Sequence, residues 1–389
     1  MSDAYIVAAV RTAGGRRGGR LKDWHPADLA AQALNALVTR TGIDPALVDD
    51  VLMGCVGTVG QQAHNVGRGA VLSSILPDTV PATTIDRQCG SSQQALHFAA
   101  QAVMSGAQDI VIAAGVESMT RVPMGSAARL AIDAGLGGPQ SPTMLKRFEG
   151  TEVSQFAGAE RMAAMHDLSK AAMDAFAFES HQRAIAATRA GAFDEEIIPV
   201  TVETADGPEE HRIDEGIRFD TTLEGIASVK LLREGGRLSA ASSSQICDGA
   251  SGVMVVNARG LKTLGLEPIA RVHQMFVCGG DPVIMLDTPL AATQKILQRA
   301  GMSIDDIDLY EINEAFASVP MAWLKVLGAD PARLNVNGGA IALGHPLGGS
   351  GTKLAATLIN ALKARGKRYG IQAMCEGGGM ANATIYERL

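Results

Sequence analysis

Gly301-Met302-Ser303-Ile304-Asp305-Asp306-Ile307-Asp308-Leu309, running on into Tyr310-Glu311-Ile312, decides the fold because the chain contains its like twice. The counterpart is Gly42-Ile43-Asp44-Pro45-Ala46-Leu47-Val48-Asp49-Asp50-Val51, followed by Leu52-Met53-Gly54. Each reads as a glycine closing a helix, a short acidic turn, then a strand. The next steps match as well. A short β-rich run over 82–86 leads through a loop to a helix over 91–105, then Gly106, then a strand over 110–114. Later, Leu334-Asn335-Val336-Asn337 leads through a Gly-rich loop to a helix over 350–364, then Gly366, then a strand over 369–374. Apolar residues recur on one face of each helix: Ala95, Phe98, Ala99, Ala102 and Val103 in the first, Leu354, Leu358, Ile359 and Leu362 in the second. The repeat is far too long for a solenoid, so two related α/β halves made by duplication are expected.

Between them, residues 119–241 are richer in charge, Pro and Gly and lack the strand–helix rhythm. One helix is legible there, over 170–190, with Phe176, Phe178, Ile185 and Ala186 as apolar anchors and Gly191 as the stop. A long insert of this kind reads as a substrate-covering element. The expected division is 1–118 with 242–267 as the first half, 119–241 as the insert and 268–389 as the second half.

The 389 residues exceed one simple layer pair, and 47% hydrophobic against 19% charged allows a large core. Net charge is −7 and no Lys/Arg run dominates, which argues against nucleic acid as a partner. Arg16 and Arg17, between glycines, read either as an ordered loop after a first strand or as a phosphate contact, with the loop favoured. The five cysteines form no CxxC or CxxH pair, so neither a zinc site nor a disulfide framework is expected, and a reducing cytoplasm is the expected compartment. No signal peptide precedes the strand-like run Ala4-Tyr5-Ile6-Val7-Ala8-Ala9-Val10, no apolar stretch is long enough to span a bilayer, and Glu387-Arg388-Leu389 is not a peroxisomal address.

Four segments carry candidate chemistry. Cys89 stands just before the helix that begins near Ser91, where backbone N–H groups and partial positive charge favour a thiolate and lower the pKa. A buried small hydrophobe is the competing reading. His345, in Gly344-His345-Pro346-Leu347-Gly348-Gly349-Ser350-Gly351, occupies the matching loop of the second half, so a pseudo-twofold would bring it opposite Cys89. Cys–His pairing activates a thiol nucleophile. Cys375, in Cys375-Glu376-Gly377-Gly378-Gly379, reads as a loop cysteine after a strand, an acid/base candidate or a chance turn residue. Asn313, in Asn313-Glu314-Ala315-Phe316-Ala317, reads as a site residue or a helix N-cap.

Together these segments resemble the thiolase family. The likeness runs from Ile6-Val7-Ala8-Ala9-Val10-Arg11-Thr12 to the C-terminus. It rests on Cys89-Gly90-Ser91, Gly115-Val116-Glu117-Ser118-Met119, Asn313-Glu314-Ala315-Phe316, Gly338-Gly339-Ala340-Ile341-Ala342-Leu343-Gly344-His345-Pro346 and Cys375-Glu376-Gly377-Gly378-Gly379. The resemblance implies a five-layered αβαβα fold, an inserted loop domain and a ping-pong acyl transfer, the cleavage of a 3-ketoacyl-CoA by CoA or the reverse condensation. It implies that His345 takes the proton of Cys89, that an acyl-Cys89 thioester forms, and that Cys375 moves the α-carbon proton. It further implies an enolate site at His345 with a water on Asn313, and an oxyanion site at the N–H groups of Cys89 and Gly377. Coenzyme A is then a substrate rather than a resident cofactor, held by Ser244 and Arg218, although Arg218 also reads as a surface residue beside Asp214 and Glu215. A homodimer or homotetramer is expected by likeness, with no metal and no membrane partner.

The chain departs from the family pattern in places. Ser92 stands where Gly is usual, and Glu376 where many relatives are apolar. Phe156-Ala157-Gly158-Ala159-Glu160 replaces the His-Met pair of acetoacetyl-CoA thiolases. These departures favour a degradative 3-ketoacyl-CoA thiolase for bulky acyl groups over a biosynthetic acetoacetyl-CoA thiolase. The run Gln88-Cys89-Gly90-Ser91-Ser92-Gln93-Gln94 is similar to actinobacterial thiolases that act on steroid side chains. A β-ketoacyl synthase, a non-catalytic lipid-binding relative and a Cys–His hydrolase are the rival readings.

Overall fold

The acidic turns at 44–50 and 303–308 each deliver the chain into a buried parallel strand, and the two strands sit at corresponding places in the sheet. A computed structural model describes residues 3–389. The first half contains β1 (Tyr5–Thr12), β2 (Gly15–Arg16), α1 (Pro26–Thr41), β3 (Asp50–Gly54), α2 (Val66–Leu72), β4 (Ala82–Ile85), α3 (Ser91–Ser105) and β5 (Ile110–Ser118). The insert carries α4 (Ser126–Asp133), α5 (Pro142–Arg147), α6 (Gln155–Met165), α7 (Lys170–Arg189), β6 (Ile197–Ile198), the hairpin β7 (Val200–Thr204) and β8 (Gly207–His211), and α8 (Leu223–Ala227). The chain then returns through β9 (Cys247–Val256) and α9 (Ala258–Leu264). The second half is β10 (Ala270–Gly279), α10 (Thr288–Ala300), β11 (Leu309–Ile312), α11 (Ser318–Leu327), α12 (Ala340–Leu343), α13 (Ser350–Ala364), β12 (Tyr369–Glu376) and β13 (Met380–Arg388).

The main sheet runs β11-β12-β13-β10-β1-β9-β5-β3-β4. Its two leaves repeat one pattern. In the first, β4, β3 and β5 are parallel and β9 and β1 follow antiparallel; in the second, β11 and β12 are parallel and β13 and β10 follow antiparallel. A bridge between Tyr310 and Leu334 stands where the first leaf has β4. Among the described residues the two leaves pair at Tyr5↔Arg271 and Ile6↔Ala270.

Three apolar clusters separate the layers. One packs α1 and α2 on the outer face of the first leaf. Another packs α10 and α11, with α6 and α7 of the insert, against the second leaf. Between them, α3 and α13 bury Leu96, Val103, Leu358 and Leu362 against both leaves. Strands covered on both faces cannot alternate, which is why β5 is buried along its whole length. The result is the five-layered αβαβα arrangement. The insert is more ordered than its composition predicts: it forms helices and a hairpin, because its apolar anchors find the second-half core.

The central helices approach the strands closely. A Cβ on Gly54 would lie 2.3 Å from the Ser92 nitrogen, and one on Gly115 would lie 2.4 Å from the Gly348 oxygen. Ser92 fits this contact as an acceptor, since its fully buried hydroxyl takes the Thr352 N–H at 3.0 Å and ties α3 to α13.

Candidate active site

Cys89 lies in a tight turn between β4 and α3. Gln88, just before it, has φ +51, a left-handed conformation that costs a non-glycine residue about 1–2 kcal/mol. Local bonds hold it: Gln88 N–H donates to Asp86 at 2.7 Å, and the Ser91 hydroxyl donates to the Gln88 carbonyl at 2.6 Å while accepting the Arg87 N–H at 2.9 Å. The turn presents a half-buried sulfur at the start of α3.

Burial, then the neighbouring Cys375 and Glu376, push the Cys89 pKa well above the ordinary thiol value. This corrects the expectation from helix placement alone. Loss of water outweighs the partial charge of one helix start, so Cys89 rests as a thiol and needs a base.

His345 is placed to be that base. Its backbone N–H donates to the Gln245 carbonyl at 3.0 Å, and Lys353 Nζ grips the preceding Leu343 and Gly344 carbonyls at 2.6 and 3.1 Å. Nδ1 meets the Ser350 hydroxyl at 2.5 Å, and that hydroxyl donates its single proton to the Pro346 carbonyl at 2.8 Å. Nδ1 therefore carries the imidazole proton. Nε2 is left as a lone pair with no protein partner. Burial holds the His345 pKa down to about 3, with Lys353 adding to it, so the ring is neutral. The structure also corrects the loop register. Cys89 directly precedes its helix cap Gly90, whereas His345 stands further back from its cap Gly349, behind the turn Leu347–Gly349.

Cys375 belongs to β12 and pairs with Ala381, rather than lying in a loop. It is buried, and burial followed by Glu376 raises its pKa to about 12, with the Asn313 amide beside it working the other way. Asn313 does not cap a helix. It follows β11, donates its backbone N–H to Ala373 at 3.1 Å, and leaves both polar atoms of its amide without a bond of good geometry.

Two carboxylates that sequence reasoning met only inside motifs hold these loops together. Glu117 accepts the N–H groups of Val56, Gly57 and Gly348 at 2.9, 2.9 and 2.8 Å, which joins the two halves beside Cys89. Glu314 accepts from Ser180, Asn335 and the Ile341 N–H at 2.7, 2.9 and 3.1 Å. The signal for both was an acid set among apolar and glycine residues at a strand end.

Two cavities meet at Cys89. One, of about 480 Å³, is lined by Cys89, His345, Ser244 and Phe316, with the exposed Arg16, Arg17 and Arg218 also on its wall. Ser244 is set there by its N–H bond to the Ala315 carbonyl at 2.9 Å. Phe156 packs edge-on against Phe316, ring centroids 5.7 Å apart. Arg16 and Arg17 thus line the cleft, and Arg16 Nε also lies 3.6 Å from Glu215. Asp214, by contrast, pairs with Arg11, not Arg218. The second cavity, of about 840 Å³, is lined by Cys89 and Gly377, by Met119, Val122, Met285 and Met380, and by Ala127, Ala128 and Ala131 of the insert. Among the described residues no group of His, Cys, Asp or Glu is disposed to hold a metal, and no helix is long and apolar enough to cross a membrane.

Residues 4–259 match the family described as "Thiolase, N-terminal domain" and residues 266–388 match "Thiolase, C-terminal domain". The chain belongs to the thiolase family. As a thiolase it is an acyltransferase. It is similar to the steroid 3-ketoacyl-CoA thiolase FadA6 of Mycobacterium tuberculosis (strain ATCC 25618 / H37Rv), 52% identical over 391 residues that cover 100% of this chain and 95% of the relative. It is 41% identical over 402 residues to a 3-ketoacyl-CoA thiolase of Yersinia pestis (strain Pestoides F), covering 100% of both. Among solved structures, the acetyl-CoA acetyltransferase of Bacillus anthracis superposes with a TM-score of 0.91 at 34% identity, covering 100% of this chain and 99% of that one. Human mitochondrial 3-ketoacyl-CoA thiolase superposes with a TM-score of 0.90 at 33% identity, with the same coverage.

Proposed function

We propose that this thiolase cleaves 3-ketoacyl-CoA substrates with bulky, sterol-like acyl groups in the degradative direction. The observation that carries the reading is the meeting of two cavities at one thiol. The larger cavity is lined mainly by apolar side chains, small alanines among them, which suits a wide acyl group. The smaller one has arginines at its wall and Ser244 within, which suits a coenzyme A phosphate and pantetheine. The name of the mycobacterial relative supports the same substrate class.

The Cys89 proton passes to His345 Nε2 as the sulfur attacks the 3-keto carbon. The N–H groups of Cys89 and Gly377 receive the oxyanion. The C2–C3 bond then breaks, the electron pair leaves on the thioester enolate, and Cys375 protonates that carbon, releasing acetyl-CoA and leaving acyl-Cys89. His345 and a water on Asn313 hold the enolate oxygen. In the second half, the Cys375 thiolate takes the proton of an incoming CoA thiol, whose sulfur attacks the acyl-Cys89 carbonyl. The Cys89 sulfur leaves and recovers its proton from His345. Coenzyme A is a substrate throughout, and the cytoplasm is the compartment. A homodimer or homotetramer is the proposed assembly, supported by β4, which ends the sheet with an open edge among the described residues.

The test is to incubate enzyme with 3-ketoacyl-CoA in the absence of CoA and weigh the peptides. An acyl adduct on Cys89 is expected, with thiolysis abolished in Cys89→Ala. Thiolysis that survives Cys89→Ala overturns the mechanism. A preference for short linear chains across a graded substrate panel overturns the substrate class.

A further inference from the structure

Glu376 is a carboxyl with no evident place in the reaction as drawn. Side chains alternate along β12, so Cys375 and Glu376 leave the strand on opposite faces. Cys375 turns to Asn313 and the second-half core, while Glu376 turns toward the start of α3. A Cβ on Gly90 would lie 1.9 Å from Glu376 Oε1, so the carboxyl rests against the residue that follows Cys89. It is completely buried, and neither oxygen has a protein hydrogen-bond partner of good geometry, although the Asn382 N–H lies near.

The charged and titratable groups around it come from every neighbouring element. Arg87 comes from the Cys89 turn, Cys278 from β10, Cys375 from its own strand, and His97 from deeper in α3 through Asn382. Glu117 adds its charge at Cys89. Arg87 turns Nη1 to the Met380 sulfur at 3.7 Å rather than to the carboxyl. An unpaired buried carboxyl prefers its neutral form. Burial raises its pKa to about 8, with Arg87 opposing.

We propose that Glu376 is a positioning residue acting through Cys89: its neutral carboxyl permits the thiolate to form, and its ionisation places a negative charge beside Cys89 and Cys375 that suppresses it. The sign follows from like charges, since an ionised Glu376 makes each neighbouring thiol harder to deprotonate. The inference rests on Cys89 as the nucleophile. Alkylation reports on that sulfur without turnover, so it fails independently of the thiolysis test.

The experiment follows the rate of Cys89 carboxamidomethylation by iodoacetamide, located by peptide mass, from about pH 6 to about pH 10, a range that spans ordinary thiol titration. Wild-type enzyme is compared with Glu376→Gln and Glu376→Met. The expected result is a Cys89 profile moved to lower pH by about one unit in both variants, as for a coupled pair losing one member. Folded variants whose profiles coincide with wild type, or move to higher pH, overturn the proposal. If neither variant folds, Cys375→Ala with Glu376 intact decides. With the second sulfur gone, a two-step profile carries the proposal and a single step overturns it.

Discussion

The Asn313 amide shows how a site residue differs from a structural one. It is buried with neither polar atom in a bond of good geometry, a state that costs stability and so marks a group kept for something other than folding. Asn313→Ala is expected to lower kcat by about 10²–10³, the effect of removing one oxyanion-type donor, while leaving the melting temperature unchanged or higher. Steady-state thiolysis together with calorimetry checks both. At this scale Cys89, His345 and Cys375 were legible as residue types in glycine-rich frames. Their protonation states were not. The neutral Cys89–His345 pair arises from burial by residues distant in the chain, which is not written in local spacing.

Helices α3 and α13 were readable nearly to the residue, because apolar spacing and the flanking glycines mark both ends. What the elements do to one another was less visible. Gly54 shows it: its Cβ would strike the Ser92 nitrogen at 2.3 Å and the Gly348 oxygen at 2.6 Å, both backbone atoms that cannot turn aside. Gly54→Ala is expected to cost about 1–3 kcal/mol by overpacking and to slow Cys89 acylation by displacing its turn, read by chemical denaturation and by adduct formation. Helix α4 offers a test of substrate size. Ala128 lines the larger cavity, so Ala128→Trp is expected to lower kcat/KM for sterol-sized substrates by about tenfold or more while sparing acetoacetyl-CoA. Equal losses on both substrates would count against that cavity as the acyl site. Sequence reading left α4 unassigned, since the helix is short and buries no residue, which leaves little periodicity to mark it.

Across the molecule, a buried ionic knot ties the insert to both halves. Arg11 of β1 pairs with Glu196 and Asp214, Thr357 of α13 donates to Glu196 at 2.7 Å, and Lys353 stands near Asp214. Arg11→Met removes the guanidinium shared by two buried acids and is expected to cost about 3–5 kcal/mol, measured as a fall in unfolding free energy. The buried histidines govern stability against acid. His97 and His345 are held down to about 3 and His181 to about 4, each chiefly by burial. Their unfolded values lie near 6.5, so below that pH the unfolded chain binds the extra protons. The histidines' share of stability is fully present above about pH 6.5 and is lost as pH drops toward the folded values. A melting temperature that declines between about pH 6.5 and pH 4, less steeply in His97→Asn, is the expected outcome by calorimetry.

The duplicated turn–strand–helix order, the helix limits, the family resemblance and the candidate site residues were all legible in the sequence, because periodicity, capping glycines and motif order are local properties. Tertiary structure alone decided that Arg16 and Arg17 line the cleft, that Cys375 belongs to a strand, that Glu376 lies against Gly90, and that a thiol at a helix start is harder to ionise than an ordinary one. Each of these depends on contacts between segments far apart in the chain, and the last on the water those contacts remove.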